Sequence, residues 1–202
     1  MACSIATIIA AAAAVCDFTR TSVARSILQF SQTMSTLYGA DDRNLLTSML
    51  AGEGVHLEPS AILDGLTGEQ AHTKPHGLPY SIADLVAHMC HWQEWFNACL
   101  LSGFTGIAQH SVDGWPATDA DGWDDLRERY VRSIEEAKRI AAETDSLADP
   151  LLPDANVASL ARESRGSSLL RSAIHNSHHL GQVITVRRLM GLWPPPDGTI
   201  TW

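Results

Sequence analysis

Basic residues are scarce in this chain. Fourteen Lys and Arg face 23 Asp and Glu, for a formal net charge of -9. That balance repels phosphate backbones and argues against nucleic acid as a partner, and no basic stripe exists for a helix-turn-helix to present to DNA. Cysteine is nearly as sparse. Cys3, Cys16, Cys90 and Cys99 include no CxxC pair, and Cys90 and Cys99 would lie roughly 13 Å apart on one helix, too far for a disulfide. A reducing, cytoplasmic setting fits. No apolar run is long enough for a bilayer: the longest near the start, Ile5 to Val15, is too short to span and lacks the basic flank of a secretory signal. No repeat of 20 to 50 residues occurs, and strand-like alternation is scarce.

What remains is one domain's worth of helical periodicity. The chain has 202 residues, 45% of them hydrophobic, enough for one ordinary core and hardly enough for two. Helical patterning first appears after Met34, so residues 1–33 are expected to be an extension outside the fold and 34–202 the domain. Within it, 42–51 carries Leu45, Leu46, Met49 and Leu50 at helical spacing, and 60–66 continues that layer. After HTKPHGLPYS, a loop by its prolines and glycine, Ser81 and Asp84 form a capping-box pattern at the head of a helix running to about 102. The spacing predicts a third helix over 122–144 and a fourth over 166–190, stopped by Gly191 and Pro194 to Pro196. The long stretches 103–121 and 145–164 join them. Such an all-α pattern implies an antiparallel four-helix bundle with long inter-helix loops.

The fourth helix holds the densest chemistry. In HNSHHLGQV, His175, His178 and His179 fall within five positions, and imidazole is both a common metal ligand and the side chain that titrates near neutral pH. At about 100° per residue, His178 shares a polar stripe with Arg171, Gln182 and Thr185 and should face water. His175 and His179 share the stripe of Val183, Val186 and Met190 and can hold one ion together. On the second helix, His88 belongs to a stripe of Leu85, Trp92, Trp95 and Cys99, while His91 sits at its boundary. Burying three neutral imidazoles without partners would cost several kcal/mol, and a shared cation would remove that cost. The plainer alternative, a satisfied core histidine beside surface histidines, is equally compatible with the spacing. His56, His91 and Gln182, with Glu53 and Asp84, are the candidates to orient a ligand from behind. His72, His76 and His110 fall in loops and are expected to be exposed. Trp115, Trp123, Trp193 and Trp202 fall in loops or the tail, where they pack over the helix ends or roof a pocket.

PYSIADLVAHMCHWQEWF, followed much later by HNSHHLGQVITVRRLMGLWPPP, resembles the DinB/YfiT-like superfamily of bacterial four-helix-bundle metalloproteins. The resemblance covers residues 45–202, and its specific part is a histidine on the second helix followed by HxxxHxGQ on the last. It implies His88, His175 and His179 as the metal ligands, the three that the face analysis selects. It also implies a bound zinc or nickel ion, a bundle of up-down-down-up style, and a homodimer. Some relatives are thiol-dependent transferases or isomerases. The expectation is therefore a metalloenzyme for hydrolysis or thiol transfer on a small molecule, with a low-molecular-weight thiol as a candidate co-substrate and no catalytic base identified. The alternative is a non-catalytic metal-binding stress-response protein.

Overall fold

A computed structural model describes residues 40–102, 111–152 and 163–196. The expected extension over 1–33 lies outside the described residues, as do His110, Trp202, Cys3 and Cys16. The described part is helical, with no strand and one isolated antiparallel bridge between Pro150 and Ser164. Six α-helices are described: α1 (Ala40–Ala51), α2 (Pro59–Leu63), α3 (Gly68–His72), α4 (Ile82–Ser102), α5 (Trp123–Glu143) and α6 (Arg165–Leu189). A single 3-10 turn, Ser111–Gly114, lies between α4 and α5. No described helix is long and apolar enough to cross a membrane.

The ends of the long helices follow local chemistry. At the head of α4 the Ser81 amide donates to Asp84 Oδ2 (2.9 Å) and the Asp84 amide donates to Ser81 Oγ (3.1 Å), the reciprocal capping the sequence predicts. Asp84 also pairs with Lys74, so its carboxylate is committed to the helix end. Ser164 and Ser167 cap α6 in the same way. At its other end Gly191 takes a left-handed φ of +71°, a conformation open to glycine at little cost. One helix was not expected: α3 fills the unassigned stretch before the HTKPHGLPYS loop and takes in its first residue, His72, and its signal is the Thr67/Gln70 capping box.

Packing pairs α5 with both α1 and α4, and α6 with both α4 and α1. Long helices adjacent in sequence, α1 and α4, thus share neighbours instead of packing as a pair, and the 52–81 connection with α2 and α3 makes that crossover possible. The core gathers Ile62, Leu63, Ile82, Leu85, Val86, Met89, Tyr130, Leu180 and Val183. Each fully buried aliphatic chain there contributes about 1.5–3 kcal/mol.

Two expectations about the core are corrected. Trp123 is the first residue of α5, not a loop residue, and its buried indole donates to the Leu66 carbonyl at 2.9 Å. In the second half of α4 the buried face is Gln93, Phe96, Asn97, Cys99 and Leu100, so Cys99 is buried as its stripe predicts, while Trp92 and Trp95 lie half-buried on the flank. Polar partners on α6 make that face possible, and a periodicity count that scores only apolar residues passes over it.

A buried cation ties the C-terminal end down. Arg187 is 2% exposed, and its guanidinium donates to the carbonyls of Ile62, Asp64 (2.9 Å) and Leu192 (3.0 Å). Removal from water pulls its pKa below the usual arginine value.

Candidate metal centre

Two helices bring the three histidines together. His88 lies in the buried face of α4, and the i, i+4 pair His175 and His179 lies on the flank of the α6 face that packs toward it. One ring nitrogen from each of the three lies within 4.8 Å of the others. His88 Nε2 and His175 Nε2 are 3.1 Å apart. Two imidazoles on one zinc ion, with bonds of 2.0–2.1 Å at a tetrahedral angle, place their nitrogens about 3.3 Å apart. The spacing and the donor set therefore fit one divalent ion.

Hydrogen bonds behind the rings set their tautomers. A carbonyl oxygen only accepts, so His88 Nδ1 carries the proton it donates to Gly114 O at 2.6 Å. His179 Nδ1 likewise donates to Gln182 Oε1 at 2.6 Å. In the neutral rings, Nε2 of His88 and of His179 is thereby left unprotonated, with His88 Nε2 facing His175 Nε2, the arrangement that orients metal-ligating histidines. Burial away from water holds all three imidazoles below the ordinary histidine pKa, and neighbouring imidazoles push the same way; His175 is lowered to about 4. At neutral pH the cluster is uncharged and ready to donate lone pairs.

The loop after the 3-10 turn roofs the cluster. Trp115 stacks on His88 with ring centroids 3.9 Å apart and planes inclined by 16°, and its edge-on contact with His179 is 6.1 Å. Of the three described tryptophans expected at loops or helix ends, Trp115 is the one that covers this site; Trp193 lies against Arg187 and Arg188. Gly114 leaves no room for a side chain, because a Cβ there would meet the Trp92 indole at 2.7 Å. Neither the carbonyl of Gly114 nor the stacking of Trp115 was legible in the sequence, although the adjacent Gly-Trp pair in a long loop is a usable signal.

The structure brings Gln182 to the site and leaves the other expected orienting residues elsewhere. His56 is held over Gly52, its Nδ1 donating to Leu57 O (2.7 Å) and its Nε2 accepting from Ser177 Oγ (3.0 Å), so both nitrogens are occupied. His91 stands edge-on to Trp92 and lines a cleft of about 290 Å³ with Ala87, Pro116, Asp119, Asp125 and Arg129. That cleft contains none of the three clustered histidines. Glu53 accepts from Ser48 on the surface, and Asp84 caps α4. His178 is exposed, as its stripe implied. His76 is exposed as well, whereas His72 is half-buried, its Nδ1 donating to Gly68 O because α3 folds where a loop was expected.

Helical packing and a three-histidine cluster suited to a divalent ion define a class of candidate metalloprotein. A family model described as the DinB superfamily matches residues 59–183. The chain belongs to that superfamily. No curated protein and no solved structure matches it.

Proposed function

We propose that this chain is a metal-dependent enzyme in which His88, His175 and His179 hold one divalent ion, zinc or nickel, for hydrolysis or thiol transfer on a small molecule. The observation that carries the reading is the convergence of three ring nitrogens with two tautomers already set for coordination. An ion in that position supplies Lewis-acid chemistry, polarising a substrate oxygen or acidifying a coordinated water or thiol. Among the described residues the cluster has three members, and a three-ligand set leaves coordination positions open, which supports catalysis over a closed structural site.

The protein's own groups prepare that position. Gly114 O and Gln182 Oε1 orient two rings, and Trp115 covers one face of His88 and excludes water from it. Cys90 and Cys99, buried and outside any disulfide, support a reducing, cytoplasmic location, with Cys90 protonated because burial and Glu94 push its pKa up to about 12. Cys90 is therefore a poor nucleophile, and the proposal takes the thiol of the transfer reaction to be a separate small molecule. The proposal includes the antiparallel bundle and the homodimer that the family resemblance implies. Opposite directions for α4 and α6 are supported by their pairings, His88 with His175 and Gln93 with Ser172.

Elemental analysis of protein purified without an affinity tag, followed by a screen of thiol-transfer and ester substrates with and without chelator, tests the reading. Stoichiometric zinc or nickel and turnover lost on chelation are expected. Full metal occupancy with no turnover on either class would assign the ion a stabilising role instead, and protein free of metal that takes up neither ion would remove the reading.

A further inference from the structure

Beneath the histidines lies a buried polar layer that the proposed chemistry does not use. Gln93 on α4 and Asn176 on α6 are 1% and 3% exposed, with Asn97, Ser172 and Tyr130 equally enclosed. Gln93 Oε1 accepts from Ser172 Oγ at 2.5 Å and from Asn176 Nδ2 at 2.6 Å. Gln93 Nε2 donates to Asn97 Oδ1 (2.9 Å), and Asn97 Nδ2 donates to Ser133 O on α5 (2.8 Å). Asn176 Oδ1 accepts from the Tyr130 hydroxyl at 3.1 Å, and its amide also donates to Ser172 O at 2.9 Å.

We propose that Gln93 and Asn176 are positioning residues for the three-histidine centre: their amide network locks α4 and α6 in the register that sets His88 Nε2 and His175 Nε2 3.1 Å apart. This rests on the reading of those histidines as a metal centre. Apolar side chains tolerate sliding, since burial is non-directional. A hydrogen bond loses its value within a few tenths of an ångström beyond about 3.2 Å or when bent, so a layer of them selects one axial setting. Gln93 is five residues beyond His88, about 7.5 Å along the helix, and Ser172 and Asn176 bracket His175 in sequence. The lock thus acts on the same two helices as the ligands, within two turns of them. A core selected for stability alone would carry Leu or Met here, because buried amides cost desolvation that their hydrogen bonds only offset. Polar layers that fix register at the expense of stability are known from coiled coils.

The test compares wild type, Gln93→Met, and the all-apolar layer Gln93→Met with Asn97→Leu, Tyr130→Phe, Ser172→Ala and Asn176→Leu, which leaves no member of the network without its partner. Zinc and nickel affinities are measured by calorimetric titration, alongside helix content and thermal midpoint of the metal-free proteins. Both variants are expected to keep their helix content. Metal affinity should fall about 10–100-fold, the range typical for loss of groups that orient ligands, while the all-apolar layer melts no lower than wild type. Wild-type affinity in Gln93→Met would overturn the proposal, as would an affinity loss only in step with lowered thermal stability. Should the all-apolar variant fail to fold, Gln93→Met decides alone. If wild type binds neither ion, the metal reading fails separately, and a crystal structure of Gln93→Met decides the register: a His88 to His175 separation still at 3.1 Å refutes the lock, and a wider one supports it.

Discussion

At His178 and His179, about 100° of helix rotation separates a water-facing ring from one inside the cluster, and the two substitutions should behave oppositely. His179→Ala is expected to abolish zinc and nickel binding, because it removes one of three donors; His178→Ala should leave stoichiometry unchanged. Equal losses in elemental analysis would contradict the assignment. Protonation offers a second check at this scale. His175 has its pKa lowered to about 4 by burial and by His179 and His88, against about 6.5 in an unfolded chain. Between those values the unfolded state binds more protons, so stability of the metal-free protein rises with pH across that window. The contribution is complete above about 6.5 and lost as pH falls through about 4. Thermal melts of chelated protein from pH 7 to pH 4 should therefore decline, and His175→Gln should flatten the decline. An unchanged slope in that variant would exclude His175 as its source.

At the scale of an element, the segment after the 3-10 turn matters most, since it contributes a carbonyl to His88 and an indole to cover it. Gly114→Ala places a methyl against Trp92 and must move either that ring or the backbone carrying the carbonyl. A loss of metal affinity of about 10–100-fold is expected, with helix content by circular dichroism unaltered. Trp115→Ala should leave binding largely intact, and it removes the ring whose fluorescence a metal ion at His88 is placed to quench. Addition of nickel, whose open d shell quenches a nearby indole, should thus dim the emission of wild type by more than that of Trp115→Ala; identical dimming in both would mean that Trp115 does not report the centre.

Across the whole molecule, Arg187 joins α6 to the end of α2, to Asp64 after it and to Leu192 beyond α6, through three backbone carbonyls. Arg187→Met keeps the apolar stem but strands them, at roughly 1–3 kcal/mol for each carbonyl left unsatisfied. Denaturant unfolding should show that loss while the zinc stoichiometry of the folded protein stays unchanged. The overall arrangement was partly readable: α4, α5 and α6 begin and end within one or two residues of their predicted limits because capping residues and glycines act locally. The buried Gln93 and Asn176 were not, although each stands four residues from another polar side chain, Asn97 and Ser172 respectively, because a polar pair on a helix looks the same whether it meets water or another helix.

By itself, the order of amino acids determined the helical class, the limits of the long helices and which histidines share a face with apolar residues. Those properties depend on interactions within a few residues of backbone. Only the tertiary structure decided that His88 meets His175 across 3.1 Å, that Gly114 and Gln182 hold the rings, and that His56 and His91 point to other partners. Those contacts span from 1 to 121 positions, and most of their geometry depends on how whole helices pack, which no local spacing encodes.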